Sequence, residues 1–445
     1  MTAQEELSTR HKVDVDALRR GATEVLLRNW TGRSTVPSRA LYPHQWSWDS
    51  AFIALGVRHI SPLRAQYELE SLLGAQWADG RIPHIAFNPD VPHGAYFPGP
   101  DFWQSSLRSS AAPATPETSG IIQPPVHALA TWHTHLADPV ESTRRHFLPR
   151  IYPRLVAWHH YLEKRRDLGG RGLAAIVHPW ESGMDNSPSW DAPLQWIDPW
   201  PRNGFRRRDL THAAAADRPT DTDYGRYLRL AADYRDQNYD DGRNQNGFAV
   251  EDPCFNALLI ASDHALGQIA DILRRDSTPH KTRAAARTTA LVDSLYHSEA
   301  GMFGCRDLLH DSPLSLGSVA GLIPLIVPDL PGTIVAQLLA TIVGERFRLG
   351  EVQLTPSFDL TSSSYETGRY WRGPSWFNVA WLLYQGLVQH SAPELAAVLR
   401  QDLLATALAT NFAEYLDPYT GEGHGARNFS WTAATALDLL AQETQ

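Results

Sequence analysis

Apolar residues recur at three- and four-residue spacing along most of the chain. Phe255, Leu258, Leu259, Leu266, Ile269 and Leu273 are a clear instance, the pattern of a helix with one buried face. Comparable patterns predict helices over roughly 14–29, 48–57, 62–77, 125–137, 146–165, 222–236, 279–297, 315–327, 332–346, 374–390, 393–410 and 430–442. Alternating strand patterns are scarce and no strand–helix–strand rhythm appears, so the predicted fold class is all-α. No linker stands out, and residues 1–445 are expected to form a single domain with long loop insertions around 88–122 and 183–221.

Several predicted helices carry chemical start marks. Ser391-Ala392-Pro393-Glu394 has the form of a capping box. Prolines stand at predicted helix starts after Gln123 (Pro124, Pro125), after Asp252 (Pro253) and after Gly373 (Pro374). Aromatic or charged residues gather near these starts, which suggests that the N-terminal ends share one rim around a common pocket.

Composition narrows the function. The chain has 445 residues, 43% hydrophobic and 20% charged, with net charge −9. That is globular, and it argues against nucleic acid or an anionic membrane as the main partner. No apolar run is long enough for a membrane span. Met1–Leu7 is polar and acidic, unlike a signal or transit peptide. Cys254 and Cys305 are read as two core thiols in a reducing cytoplasm. The excess is aromatic, with 15 Trp and 15 Tyr against 3 Met, and many tryptophans sit beside Asp, Gly, Pro or Arg. Such rings either pack a core or stack on the C–H faces of a sugar.

Two clusters join carboxylates to aromatic rings. Trp180-Glu181-Ser182-Gly183-Met184-Asp185-Asn186-Ser187-Pro188 reads as a loop, and Phe412-Ala413-Glu414-Tyr415 lies far downstream. Cleavage of a glycosidic bond needs two carboxyl groups, one to protonate the leaving oxygen and one to act on the opposite face. Asp185 beside an indole suits the proton donor, unless it serves only an Asx-turn. Glu181 competes for that role or anchors the loop. Glu414 suits a base, unless it is a surface helix-end glutamate. Tyr42-Pro43-His44-Gln45-Trp46-Ser47-Trp48-Asp49 offers Asp49 to sugar hydroxyls, with a packed helix start as an equal account. Arg372 could bond a ligand or cap a loop.

Other signals fail. The run 236–242 mimics a calcium loop, but no Glu stands at the twelfth position, and a solvated turn is expected. Trp132-His133-Thr134-His135 and His159-His160 lack a third ligand at recognisable spacing. No nucleophile elbow, P-loop or dinucleotide fingerprint occurs. No metal or organic cofactor is expected.

Eight ordered blocks resemble the bacterial mannosylglycerate and glucosylglycerate hydrolases of glycoside hydrolase family sixty-three. They are Tyr-Pro-His-Gln-Trp-Ser-Trp-Asp (42–49), Ile-Pro-His-Ile (82–85), Tyr-Phe-Pro-Gly-Pro (96–100), Thr-Ser-Gly-Ile-Ile-Gln-Pro-Pro (118–125), Trp-Glu-Ser-Gly-Met-Asp-Asn-Ser-Pro (180–188), Tyr-Trp-Arg-Gly-Pro (370–374), Phe-Ala-Glu-Tyr (412–415) and Ser-Trp-Thr-Ala (430–433). Any one is weak; the ordered set is specific. The resemblance implies an (α/α)6 barrel and inverting hydrolysis of an α-glycoside, glucosylglycerate or mannosylglycerate. It makes Asp185 the general acid and Glu414 the general base. The sugar side would use Trp46, Trp48, Asp49, Trp180, Gly183 and Trp376, and the glycerate side Tyr42, Tyr96, Gln123, Arg218, Tyr224, Tyr370 and Trp371. Trp431 of the last block joins the substrate-binding set.

One departure matters. Phe429 stands where those hydrolases carry glutamine, which leaves room for an α-glucosidase acting on another aglycone or on an α-linked disaccharide. A non-catalytic sugar-binding protein is the rival of a different class, and an isomerase would need paired histidines. The expected partner is a small carbohydrate, with an anionic aglycone as one option. Assembly into a homo-oligomer, and glucose against mannose, stay open.

Overall fold

The computed structural model describes residues 13–202, 207–211, 214–243 and 247–442. The polar start Met1–Leu7 lies outside the described residues.

Two rings of helices alternate along the chain. The inner members are α2 (Ser47–Val57), α4 (His127–Ala137), α7 (Pro253–Ile272), a pair of 3-10 turns (Val319–Gly321, Ile323–Ile326), α10 (Phe377–Gln389) and α12 (Ser430–Ala441). Each packs on the next, and α12 returns to pack on α2, so the inner ring closes. The outer members are α1 (Val15–Arg28), α3 (Pro62–Gly74), α5 (Phe147–Arg165), α8 (Thr278–Leu295), α9 (Gly332–Val343) and α11 (Pro393–Ala409). This is an (α/α)6 barrel.

The sequence dictates the ring assignment. Every residue of α2 is buried, and in α12 every residue from Ser430 to Leu440 is. A helix buried on every face can sit only inside. In α1 the buried residues are Leu18, Ala22, Val25 and Leu26, a single stripe against the inner ring. A further helix, α6 (Asp221–Asp236), follows the long second loop and starts at a true capping box, Thr220 with Asp223. Strands are two residues long; Gln45–Trp46 pairs with Ile85–Ala86, and Tyr415–Leu416 lies between Ser375–Trp376 and Gly423–His424. No described helix is long and apolar enough to cross a membrane.

Three expectations are corrected. Residues 315–327 do not form an α-helix but the two 3-10 turns. Pro324 heads the second turn, and a side chain at Gly321 would collide with the Phe303 carbonyl, so the backbone is held too close for a regular helix. The expected capping box at Ser391 is absent: Ala392 is the N-cap without a side-chain bond, and Ser391 has φ +55°. The prolines after Gln123 and Gly373 stand ahead of their helices, which begin at His127 and Phe377; at the second, Ser375–Trp376 pairs as a strand first. Pro253 does occupy the first turn of its helix.

Candidate active site

The N-terminal ends of inner members converge on one pocket, of about 510 Å³ counted out to its mouth. Trp46, Trp48 and Asp49 come from the start of α2, and Gln123 from the segment before α4. Trp180, Gly183 and Asp185 come from the loop after Ala175–Ile176, Tyr370 and Trp371 from the turn before α10, and Trp431 from the start of α12. Tyr42, Tyr96 and Glu414 complete this part of the lining.

Glu414 is buried and held on both oxygens. Its Oε1 accepts from the Tyr42 hydroxyl at 2.9 Å and the Tyr370 hydroxyl at 3.3 Å, and its Oε2 accepts from the Ala426 amide at 3.0 Å. Gly425 has φ +68°, and a side chain there would run into Oε2, so glycine lets the 423–426 backbone close on the carboxylate. Burial raises the Glu414 carboxyl above its ordinary value, while Arg218, the Ala426 amide and the two tyrosines pull it back.

Asp185 has a different setting. It is half-buried, opens onto the pocket and takes no hydrogen bond from another side chain among the described residues. Burial pushes its carboxyl up to about 7; Arg218 opposes the shift and Glu414 adds to it. Asp49 is 4% exposed and also lines the pocket. Burial, then the negative charge of Glu414 and Asp185, holds it well above the carboxylate range. Three carboxyls therefore face one cavity at unequal proton affinity.

Aromatic rings form the walls. Trp180 stacks on His84 with planes 17° apart, and Trp46 meets Tyr96 edge-on at 5.1 Å. The Trp48 amide donates to Gln123 Oε1 at 3.2 Å. Gly183, at φ +72°, lies against Trp48: a Cβ there would come within 2.5 Å of the indole.

Three residues expected at the substrate are not part of the pocket lining. Trp376 lies flat behind Trp371, ring centroids 3.8 Å apart, and backs it. Arg218 lies behind the tyrosines, donating to Tyr42 Oη at 2.8 Å with its guanidinium 4.5 Å from the Tyr370 ring centre. Burial works against the Arg218 charge, but Tyr42, Tyr370 and Glu414 outweigh it and keep it protonated. Tyr224 donates to the Phe97 carbonyl at 3.0 Å and lies under Arg207. Sequence reasoning gave no role to Pro37 or His84, and both line the pocket. Burial drops His84 to about 3, so it is neutral. Its only signal was a histidine inside the apolar Ile-Pro-His-Ile block. Phe429 is also in the lining, its ring 4.6 Å from that of Trp431.

The family described as "Mannosylglycerate hydrolase MGH1-like glycoside hydrolase domain" matches residues 42–432. The chain belongs to this glycoside hydrolase family. It is 42% identical to a mannosylglycerate hydrolase of Thermus thermophilus over 94% of this chain and 99% of that one. It is 37% identical to a glucosylglycerate hydrolase of Mycolicibacterium hassiacum, over 94% and 96%. A crystal structure of a GH63 mannosylglycerate hydrolase from Thermus thermophilus, in complex with Tris and D-glycerate, superposes with TM-score 0.86 at 39% identity, over 95% of this chain and 99% of that one.

In this glycoside hydrolase the first acid of the 180–188 loop, Glu181, is structural. Glu181 is fully buried, receives Arg166 through Nη1 at 2.6 Å and Nη2 at 2.8 Å, and takes the Ile122 and Val177 amides at 3.1 and 2.7 Å. It ties the Asp185 loop to the segment carrying Gln123. The acidic run 236–242, expected as a solvated turn, is corrected at Asp241. That residue is 3% exposed and bound by Arg81, Arg166, Tyr161 and Tyr234. Arg372 caps a loop through Asp191 and Glu366 and does not line the pocket.

Proposed function

We propose that this glycoside hydrolase cleaves glucosylglycerate or mannosylglycerate to the sugar and glycerate, inverting the configuration at the anomeric carbon. The carrying observation is the unequal setting of Asp185 and Glu414 in one pocket. Asp185, pushed up to about 7 without a side-chain donor, retains a proton near neutrality. Glu414, with two hydroxyls, an amide and a guanidinium lowering it, is the better carboxylate.

Asp185 gives its proton to the glycosidic oxygen as the bond from that oxygen to the anomeric carbon breaks. Glu414 takes a proton from water, whose oxygen attacks the anomeric carbon from the opposite face. The α-linked sugar leaves as the β anomer, and glycerate leaves neutralised at its hydroxyl. Trp46, Trp48 and Trp180 suit the sugar face, Asp49 its hydroxyls, and Tyr96, Gln123 and Trp431 complete the contacts. Arg218, behind Tyr42 and Tyr370, suits the anionic glycerate side through its positive charge and its bond to Tyr42 Oη rather than by lining the pocket. The buried free thiols Cys254 and Cys305 support a reducing cytoplasm as the setting.

Phe429 favours a second reading, an α-glucoside with a more apolar aglycone, because it places a phenyl ring in the lining. One experiment tests both. Glucosylglycerate, mannosylglycerate and α-linked disaccharides are offered to the enzyme, and the first-formed anomer is followed by NMR. Cleavage of a glycerate compound with release of β sugar supports the first reading. Cleavage of disaccharides alone transfers the assignment to the second, and release of α sugar overturns inversion.

A further inference from the structure

Glu68 lies on the outer helix α3, is 1% exposed, and is not part of the pocket lining. Its Oε1 accepts from Ser50 Oγ at 2.8 Å and Gln45 Nε2 at 3.0 Å, and its Oε2 from the Thr35 amide at 2.6 Å. Gln45 Nε2 also lies 3.0 Å from the Glu68 carbonyl and 3.0 Å from Ser50 Oγ, its two hydrogens shared among three acceptors, while Ser71 Oγ holds Gln45 Oε1 at 3.1 Å. Gln45 and Ser50 bracket the strand-to-helix junction that carries Trp46, Trp48 and Asp49 into the pocket. One carboxylate thus fixes both ends of that junction from behind.

We propose that Glu68 is a positioning residue for the sugar-facing wall of the active site. The proposal rests on the sugar-side assignment of Trp46, Trp48 and Asp49 made above. The contrast with Glu181 gives it force. Glu181 is neutralised by Arg166, whereas no cation is within ion-pair distance of Glu68 among the described residues. Burial pushes the Glu68 carboxyl up to about 7, although the Ser50, Thr35 and Gln45 bonds oppose it. Such a group costs stability that an apolar side chain of the same size would not. What the carboxylate supplies is direction: it draws three donors from two segments onto one point. A wall held this way keeps two indoles and Asp49 in register with a ring whose hydroxyls tolerate little displacement.

The test uses the full chain with Glu68→Gln, Glu68→Leu and Ser50→Ala, the last removing one bond of the set and serving if Glu68→Leu does not fold. Binding of glucose, mannose and D-glycerate is titrated by tryptophan fluorescence, and KM and kcat are measured on the α-glycoside that the parent enzyme cleaves. Glu68→Gln is expected to weaken sugar binding and raise KM by about 10-fold, with kcat within about 3-fold and D-glycerate binding unchanged. Ser50→Ala should move the same quantities less. A lower melting temperature with sugar affinity intact, or equal losses for sugar and glycerate, would overturn the proposal. A parent enzyme that binds no sugar would overturn the underlying assignment, and that is seen before any variant is made.

Discussion

The Tyr42 hydroxyl joins the Glu414 carboxylate to the Arg218 guanidinium, donating to Oε1 at 2.9 Å and accepting from Nη2 at 2.8 Å. This bond lowers the Glu414 carboxyl. Tyr42→Phe removes it, so the proton is held to higher pH. The acid limb of kcat/KM should move up by about 0.5–1 unit, while the alkaline limb, set by Asp185 near 7, stays in place. Profiles for both enzymes from pH 4 to 9 check this, and an unmoved acid limb would deny Glu414 the role of base.

The two carboxyls should respond differently to the leaving group. Fluoride departs without a proton, so an α-glycosyl fluoride needs the base but not the acid. Asp185→Asn should lose at least about 100-fold in kcat on the natural glycoside yet keep most activity on the fluoride. Glu414→Gln should fail on both. If Asp185→Asn is equally impaired on the two substrates, Asp185 is not the proton donor.

Stability should show the same carboxyl. A carboxyl with a folded value near 7 binds its proton more tightly folded than unfolded. The fold is therefore favoured below the ordinary carboxylate range and loses that advantage as pH climbs from about 4 to 7. Asp185→Asn cannot ionise. Its melting temperature should exceed that of the parent by about 1–3 °C at pH 8 and match it at pH 4. Calorimetry at the two pH values decides it.

Gly183→Ala meets two obstacles, a φ of +72° and an indole 2.5 Å from the new methyl. Either Trp48 or the Asp185 loop must shift. The expected result is a loss of about 100-fold in kcat/KM with destabilisation of about 1–3 kcal/mol. A variant with unchanged kinetics would show that the Trp48–Gly183 contact does not shape the reacting geometry.

Most of the helices were legible because their apolar spacing reports burial directly. The stretch 315–327 was misread because its apolar residues fit a helix while Pro324 and the close approach at Gly321 forbid one, and that approach depends on the distant Phe303 carbonyl. The sequence located most of the pocket, since its residues cluster in aromatic blocks. Depth was not legible. Trp371 and Trp376 lie in the same short stretch of chain, yet the first lines the pocket and the second backs it. Asp241 looked like a solvated acid because its partners Arg81 and Arg166 come from other elements.

The closure of the inner ring has a consequence for how the enzyme comes into being. Trp48 and Asp49 stand on α2 and Trp431 on α12, and the two helices meet where the circle shuts, with Asn29 Nδ2 bonding the Asn428 carbonyl and Ser430 Oγ, both at 2.9 Å. The two sides of this seam stand at opposite ends of the matched 42–432 domain. Messages or ribosomes that stop before residue 430 would yield polypeptide with an open ring and an unfinished pocket. Hydrolytic competence is thereby tied to the docking of α12 on α2, the step to watch in a refolding or translation time course.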